Sequence, residues 1–280
     1  MHPKNEAQGW LTFAQNSNDV NYVDMAYLLA LSIKATCKHS RFAVAVDPES
    51  AETISTLQRQ VFDHIIVIPH MEPFHNEALA LDITPFKETF KVESDMLIPR
   101  SLDHWWDGCR LQDVCYTSRV RDYRGDISTA RNYRKFFDAN NLTDAYNGFT
   151  YFRYTRNAVR FFENIKTILG NWPTLRDDVL NHSIYTKPDT DVLYGLAQAM
   201  DMDPYFNNLS YPTFTHMKPA INGWVEHINW QDAVPWTLTN SMDFIVGGYA
   251  QQYPFHYYDK SFCTPELTDR YEQAIRTIIN

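Results

Sequence analysis

Blocks of apolar residues separated by polar turns mark out the N-terminal part of the chain. Gly9-Trp-Leu-Thr-Phe-Ala-Gln15 predicts a first strand, and Asn16-Ser-Asn-Asp19 a polar turn with helix-capping residues. From Tyr22 to Cys37, Val23, Ala26, Tyr27, Ala30, Leu31 and Ile33 recur at helical spacing. Arg41-Phe-Ala-Val-Ala-Val-Asp47 predicts a second strand that ends in an acid; Pro48 stops it, and 49–59 predicts a helix. Val61 to Pro69 predicts a third strand. Thr84 to Ile98 predicts a short helical turn and a fourth, carrying Glu93 and Asp95 near its end. Continuously apolar strands alternating with helices imply an α/β sheet covered on both faces. Such sheets take ligands at the carboxyl ends of their strands, where Asn16, Asp19, Asp47, Glu93 and Asp95 fall.

The pattern loosens further on. Asn147-Gly-Phe-Thr-Tyr-Phe-Arg153 predicts a strand entered through a glycine turn. Asn157 to Leu169 predicts an amphipathic helix, and Asp191 to Met200 another, started by Lys187-Pro-Asp-Thr190. From Tyr211 the chain is rich in Pro, Trp and other aromatics, and its pattern assigns no elements. With no repeat and no clear linker, a single domain over 1–280 is expected.

Charge and composition narrow the chemistry. The net charge of -9 argues against a protein that coats nucleic acid by bulk electrostatics. The exception is a basic segment holding Arg119, Arg121, Arg124, Arg131, Arg134 and Lys135, which could clamp phosphates or form a solvated surface helix. The four cysteines form no C-x-x-C pair, no apolar run approaches a membrane span, and the N-terminus lacks a signal-peptide pattern. A cytoplasmic protein is expected, without membrane attachment. Walker loops, G-x-S-x-G, G-x-G-x-x-G and H-E-x-x-H are absent, which disfavours P-loop enzymes, α/β-hydrolases, classical dehydrogenases and zincins.

Three groups of residues could carry chemistry. Strand alternation sends Glu93 and Asp95 to one side, where two carboxylates repel unless a cation or a proton offsets them. Mg²⁺ and Mn²⁺ suit such oxygens together with substrate phosphates. Phe214-Thr-His216-Met-Lys218-Pro219 offers His216 as a third ligand and Lys218 for a diphosphate oxygen, although His216 could be an ordinary surface or core histidine. Asp189-Thr190-Asp191 reads either as a helix cap or as an acceptor-binding or catalytic carboxylate pair.

Taken in order, the turn Asn16–Asp19, Asp47 and Glu93-Ser-Asp95-Met-Leu resemble glycosyltransferases of the GT-A fold, with E-S-D standing for the usual D-x-D. Asn147-Gly148, Asp189-Thr-Asp191 and His216-Met-Lys-Pro219 are similar to motifs of the glycogenin and galactosyltransferase-like branch. The last is shorter than its counterpart and lacks its glycine. Ala30-Leu-Ser-Ile-Lys34, Thr84-Pro-Phe86, His104-Trp-Trp106, Tyr133-Arg-Lys-Phe-Phe137 and the stretch Tyr146 to Phe152 resemble phage-encoded glycosyltransferases. Among these are the 5-hydroxymethylcytosine DNA arabinosyltransferases of T4-like phages. The resemblance implies a GT-A (Rossmann-like) mixed, mostly parallel sheet with helices on both faces. Its nucleotide-binding half would span about residues 1–100 and its acceptor half 101–280.

The implied activity is transfer of arabinose or a hexose from a nucleotide-sugar donor, UDP-sugar foremost, with Mn²⁺ or Mg²⁺ and retention of configuration. Glu93, Asp95 and His216 would hold the metal; Asn16, Asp19, Tyr22 and Asp47 the nucleoside; Lys218 and Arg134 the phosphates or sugar. Asp189, Asp191 and Arg131 would serve catalysis, and Arg119–Lys135 would meet double-stranded DNA in the host cytoplasm. The rival expectations are transfer to a polysaccharide or protein, a sugar nucleotidyltransferase, and a sugar- or DNA-binding module without chemistry.

Overall fold

A computed structural model describes residues 4, 6–37, 40–69, 75–181, 186–201, 206–207, 212–226 and 228–279. Its centre is a seven-stranded sheet. In chain order its strands are β1 (Glu6–Phe13), β2 (Phe42–Val46), β3 (His64–Val67) and β4 (Phe86–Val92). After the short β5 (Met96–Leu97) come β6 (Val114–Thr117), β7 (Tyr146–Arg153) and β8 (Phe206–Asn207). The sheet order is β3-β2-β1-β4-β7-β6-β8. The β1, β2, β3 and β4 pairings are parallel, and β7 runs antiparallel between β4 and β6. The sheet is thus mixed and mostly parallel, as expected.

Both faces are covered. The helix Tyr22–Thr36 buries ten of the eleven side chains from Val23 to Ile33, all but Asp24. It packs against the C-terminal helix Pro265–Ile279 on one side of the sheet. On the other side the helices Arg156–Gly170 and Thr190–Asp201 pack together through Phe161, Phe162 and Tyr194. Aromatic rings fill the layer under β1 and β4: Trp10 lies 5.1 Å from Phe90, which stacks 3.7 Å from Trp106. Such rings bury large apolar areas and gain further from offset and edge geometry.

The expected first strand, 9–15, is shifted: the chain is already extended at Glu6 and leaves the sheet after Phe13. The expected helix 49–59 is two helices, Pro48–Thr53 and Thr56–Val61. Ser55 breaks it by starting a second helix through a capping box, in which its Oγ accepts the Gln58 N–H and Gln58 Oε1 accepts the Ser55 N–H. Gly148 lies inside β7 rather than in a turn before it. A Cβ there would come within 2.7 Å of Met96 Cε and 2.9 Å of Phe214 Cζ, so glycine lets the site floor close up.

The aromatic C-terminal stretch forms two small sheets. One joins β10 (Trp236–Leu238), β11 (Phe244–Val246) and β12 (Tyr249–Ala250). The other sets β13 (Phe255–His256) between β5 and β9 (Thr215–His216). Among the described residues no helix is long and apolar enough to cross a membrane.

Candidate active site

The β5–β13–β9 sheet assembles the site. β13 pairs antiparallel with β5, placing His256 opposite Met96, and parallel with β9, placing His256 opposite His216. Directly opposed residues of paired strands project to the same face. The two imidazoles accordingly lie 4.3 Å apart. Glu93 and Asp95 arrive from the other direction. They sit in the turn that ends β4 rather than on the strand itself, and the Glu93 N–H continues the ladder to Gly148 O at 3.0 Å. The Tyr257 N–H donates to Asp95 O at 3.2 Å, fixing the turn against β13.

One atom from each of Glu93, Asp95 and His256 lies within 4.8 Å of the others. His256 Nε2 is 2.8 Å from Asp95 Oδ2 and 3.4 Å from Glu93 Oε2. The Lys260 ammonium also donates to Asp95 Oδ2. Two carboxylates and an imidazole are a donor set that fits Mn²⁺ or a similar divalent ion. His256 Nδ1 is buried without a hydrogen-bond partner, so the ring's polar contacts run through Nε2 while the ring packs against His216 and Phe214.

The two carboxylates differ. Burial opposes ionisation of Asp95, but the His256 and Lys260 charges outweigh it and hold its carboxyl well below the usual range. Burial raises Glu93, helped by the Asp95 charge and opposed by His256. His256 is raised despite burial, because both carboxylates favour its charged form. His216 is pushed well below its ordinary value by burial, then by His256 and Lys218. Its Nδ1 accepts the Lys218 N–H at 3.2 Å, consistent with a neutral ring.

The cluster opens into a cleft of about 550 Å³ at the carboxyl ends of the strands, within the range of small-ligand sites. Asn16 and Tyr22 line the cleft. Asn16 Oδ1 accepts the Val23 N–H at 3.0 Å, while its own N–H reaches Ser50 Oγ at 2.8 Å. The floor is a closed buried network: Lys91 donates to Glu77 at 2.7 Å and to the carbonyl and side-chain oxygens of Asn147.

Other expected residues fall elsewhere. Asp19 is exposed, and Asp47 accepts the Ser50 N–H as the cap of the helix Pro48–Thr53. Asp189, Asp191, Arg134, His216 and Lys218 line a separate polar pocket of about 70 Å³. There Arg134 pairs with Asp191 at 2.9 Å, and Asp191 accepts the Asn147 N–H at 2.8 Å. Arg131 pairs with Asp138 and Asp144 at the surface. The third position of the metal-capable cluster is therefore held by His256 rather than His216, and the ammonium beside it belongs to Lys260 rather than Lys218. A second His and Lys close in sequence, at 256 and 260 with a wider spacing than 216 and 218, is the signal the sequence offers. Nothing in the local pattern tells which pair the sheet register brings to Asp95.

Neither a protein-family model nor a curated protein sequence matches the chain. Solved structures do match by shape. The bifunctional glycosyltransferase WbbM superposes with a TM-score of 0.53 at 11% identity, covering 97% of this chain and 50% of that one. The apo form of mouse xyloside xylosyltransferase 1 gives 0.46 at 11% identity, over 72% of this chain and 85% of that one. The glycosyltransferase GlyE of Streptococcus pneumoniae gives 0.45 at 10% identity, over 73% and 46%. This chain thus spans about half the length of WbbM and of GlyE. The fold is that of GT-A glycosyltransferases, a mixed α/β sheet with helices on both faces.

Proposed function

We propose that the cleft transfers a sugar from a nucleoside-diphosphate sugar, UDP-linked foremost, to a hydroxyl acceptor with the help of Mn²⁺ or Mg²⁺. The observation that carries this reading is the approach of Glu93, Asp95 and His256 to within 4.8 Å, in a cleft at the carboxyl edge of the sheet. A bound cation would supply positive charge against the leaving diphosphate. Asp95 and His256 would hold it, with Glu93 completing the set. Asn16 and Tyr22 bind the nucleoside end, where both line the cleft. Asp191, fixed by Arg134 and the Asn147 N–H, orients the sugar or the acceptor hydroxyl together with Asp189. Retention of configuration follows the branch resembled.

For the acceptor, the resemblance supports 5-hydroxymethylcytosine in duplex DNA, a base that would have to leave the stack to be modified. The basic segment offers Arg119 and Lys135, both exposed. The intervening guanidiniums are engaged: Arg121 with Gly125 O, Arg124 with Asp122, Arg131 with Asp138 and Asp144, and Arg134 with Asp191. Any DNA contact would therefore lean on few phosphates and depend weakly on salt.

The test incubates the full chain with Mn²⁺, a panel of nucleotide sugars and hydroxymethylated DNA, then digests the DNA to nucleosides for mass spectrometry. Nucleotide release with a mass gain on the modified cytosine is the expected result. Release without that gain overturns the DNA acceptor and redirects the search to polysaccharide or protein. No release with any donor overturns the transferase reading.

A further inference from the structure

Asp95 Oδ2 accepts from two cations at once, His256 Nε2 at 2.8 Å and the Lys260 ammonium. Lys260 is delivered to this oxygen by a built turn. Tyr258 has a φ of 60°, in the left-handed region that non-glycine residues seldom occupy. Asp259 then caps a short turn of helix over Lys260–Phe262, accepting from the Ser261 N–H and from Gln231 Nε2. The lysine side chain keeps 34% of its exposure and lines the open cleft, whereas that of Asp95 keeps 5%. The ammonium can therefore leave toward the cleft, and the carboxylate cannot follow it.

A divalent ion held by Glu93, Asp95 and His256 would share an oxygen with this ammonium. Two positive charges a few ångströms apart repel, and one oxygen cannot serve both well. We infer that Lys260 is the resident counter-cation of the metal site, competing with the divalent ion for Asp95 and displaced when that ion binds. The displaced ammonium needs an anion; of the cleft's other carboxylates Glu77 is paired with Lys91 and Glu93 would hold the ion, so a ligand is left to bring one. Divalent-ion binding and diphosphate binding are then coupled: each is weaker alone than in the presence of the other. Lys260 thus guards against metal capture by the empty cleft. The inference rests on the proposed nucleotide-sugar chemistry for the identity of the anion.

The test measures Mn²⁺ binding to the full chain by electron paramagnetic resonance of the free ion, with and without UDP, and UDP binding by calorimetry. In wild type, UDP should tighten Mn²⁺ by about tenfold, within the usual range for coupled sites. Lys260→Met should bind Mn²⁺ several-fold tighter than wild type when UDP is absent. It should bind UDP more weakly, and the tightening by UDP should shrink toward unity. Lys260→Arg, which keeps the charge, should restore weak Mn²⁺ binding without UDP. Unchanged or weakened Mn²⁺ binding by folded Lys260→Met in the absence of UDP overturns the competition. If wild type binds both ligands and only the variant comparison fails, the transferase reading survives. If wild type binds neither, both fall together.

Discussion

Two pairs of acids share one spacing in the sequence and face different pockets. Glu93-Ser-Asp95 faces the large cleft, and Asp189-Thr-Asp191 faces the small polar pocket. His256 and Lys260 hold Asp95 ionised, and in each pair the other carboxyl, Glu93 or Asp189, is raised by burial and by its neighbour's charge. What differs is the partner. Asp95 is met by Lys260, a third exposed and free to swing into the cleft. Asp191 is met by Arg134, whose side chain keeps only 5% of its exposure and stacks 3.7 Å over the Tyr146 ring. A carboxylate with a movable counter-ion can exchange it for a metal. One with a locked counter-ion can only point a fixed dipole. Identical spacing in sequence therefore meets two kinds of partner, one movable and one locked, and the packing around each partner makes the difference.

The comparison is broken most severely at Asp95. Asp95→Asn keeps the shape but removes the charge that His256 and Lys260 meet. Nucleotide release should fall by about a thousandfold, or about 4 kcal/mol in the barrier. Glu93→Gln should cost about tenfold, less than the loss at Asp95, because burial and the Asp95 charge disfavour the ionised form of Glu93. Equal losses in the two variants, read from initial rates with Mn²⁺, would show that the pair acts as one unit.

Arg134→Met strikes the locked pair instead. It leaves Asp191 without its buried partner, and such breakage costs about 3 kcal/mol of stability. The urea midpoint should drop accordingly, while Mn²⁺ affinity stays within about twofold. A large loss of Mn²⁺ affinity in the folded variant would mean that the two pockets are not separate.

The histidines sharpen the boundary between them. His256→Ala should weaken Mn²⁺ by at least the 10–100-fold typical of outer-shell partners, ~2 kcal/mol. His216→Ala should weaken it by less than about threefold, since that ring stands one strand further away. The reverse ranking, in Mn²⁺ titrations of the two proteins, would restore His216 as the ligand.

This ranking also marks how far the sequence could be read. The parallel strands were legible because each is a continuous apolar run: Phe42–Val46 is fully buried and could belong nowhere else. Glu93 and Asp95 were legible because they follow such a run. His256 and Lys260 were not, because their place depends on the pairing of two-residue strands. β5, β9 and β13 are too short to show a period, and their register is set by long-range packing. Lys91 was hidden for the opposite reason. A lysine in a strand reads as an edge or surface residue, yet its buried partners Glu77 and Asn147 come from 14 and 56 positions away.

The smallest effect tests the raised member of the locked pair. Burial, then the Asp191 charge, lifts the Asp189 carboxyl from 3.8 to about 6 in the folded chain. The folded state therefore holds the Asp189 proton more tightly than the unfolded state does. Its contribution to stability is complete below about pH 4 and is lost as the pH rises through about 6. Asp189→Asn stays neutral and keeps an oxygen for the Asp191 N–H, now bonded at 2.9 Å. The variant should match wild type at pH 4 and exceed it at pH 7. The shift corresponds to at most about 3 kcal/mol, reduced to about 1 kcal/mol because the residue is partly exposed. Urea midpoints at the two pH values check the sign. A wild type more stable than the variant at pH 7 would mean that Asp189 is held ionised, and that the likeness between the two acid pairs ends at their spacing.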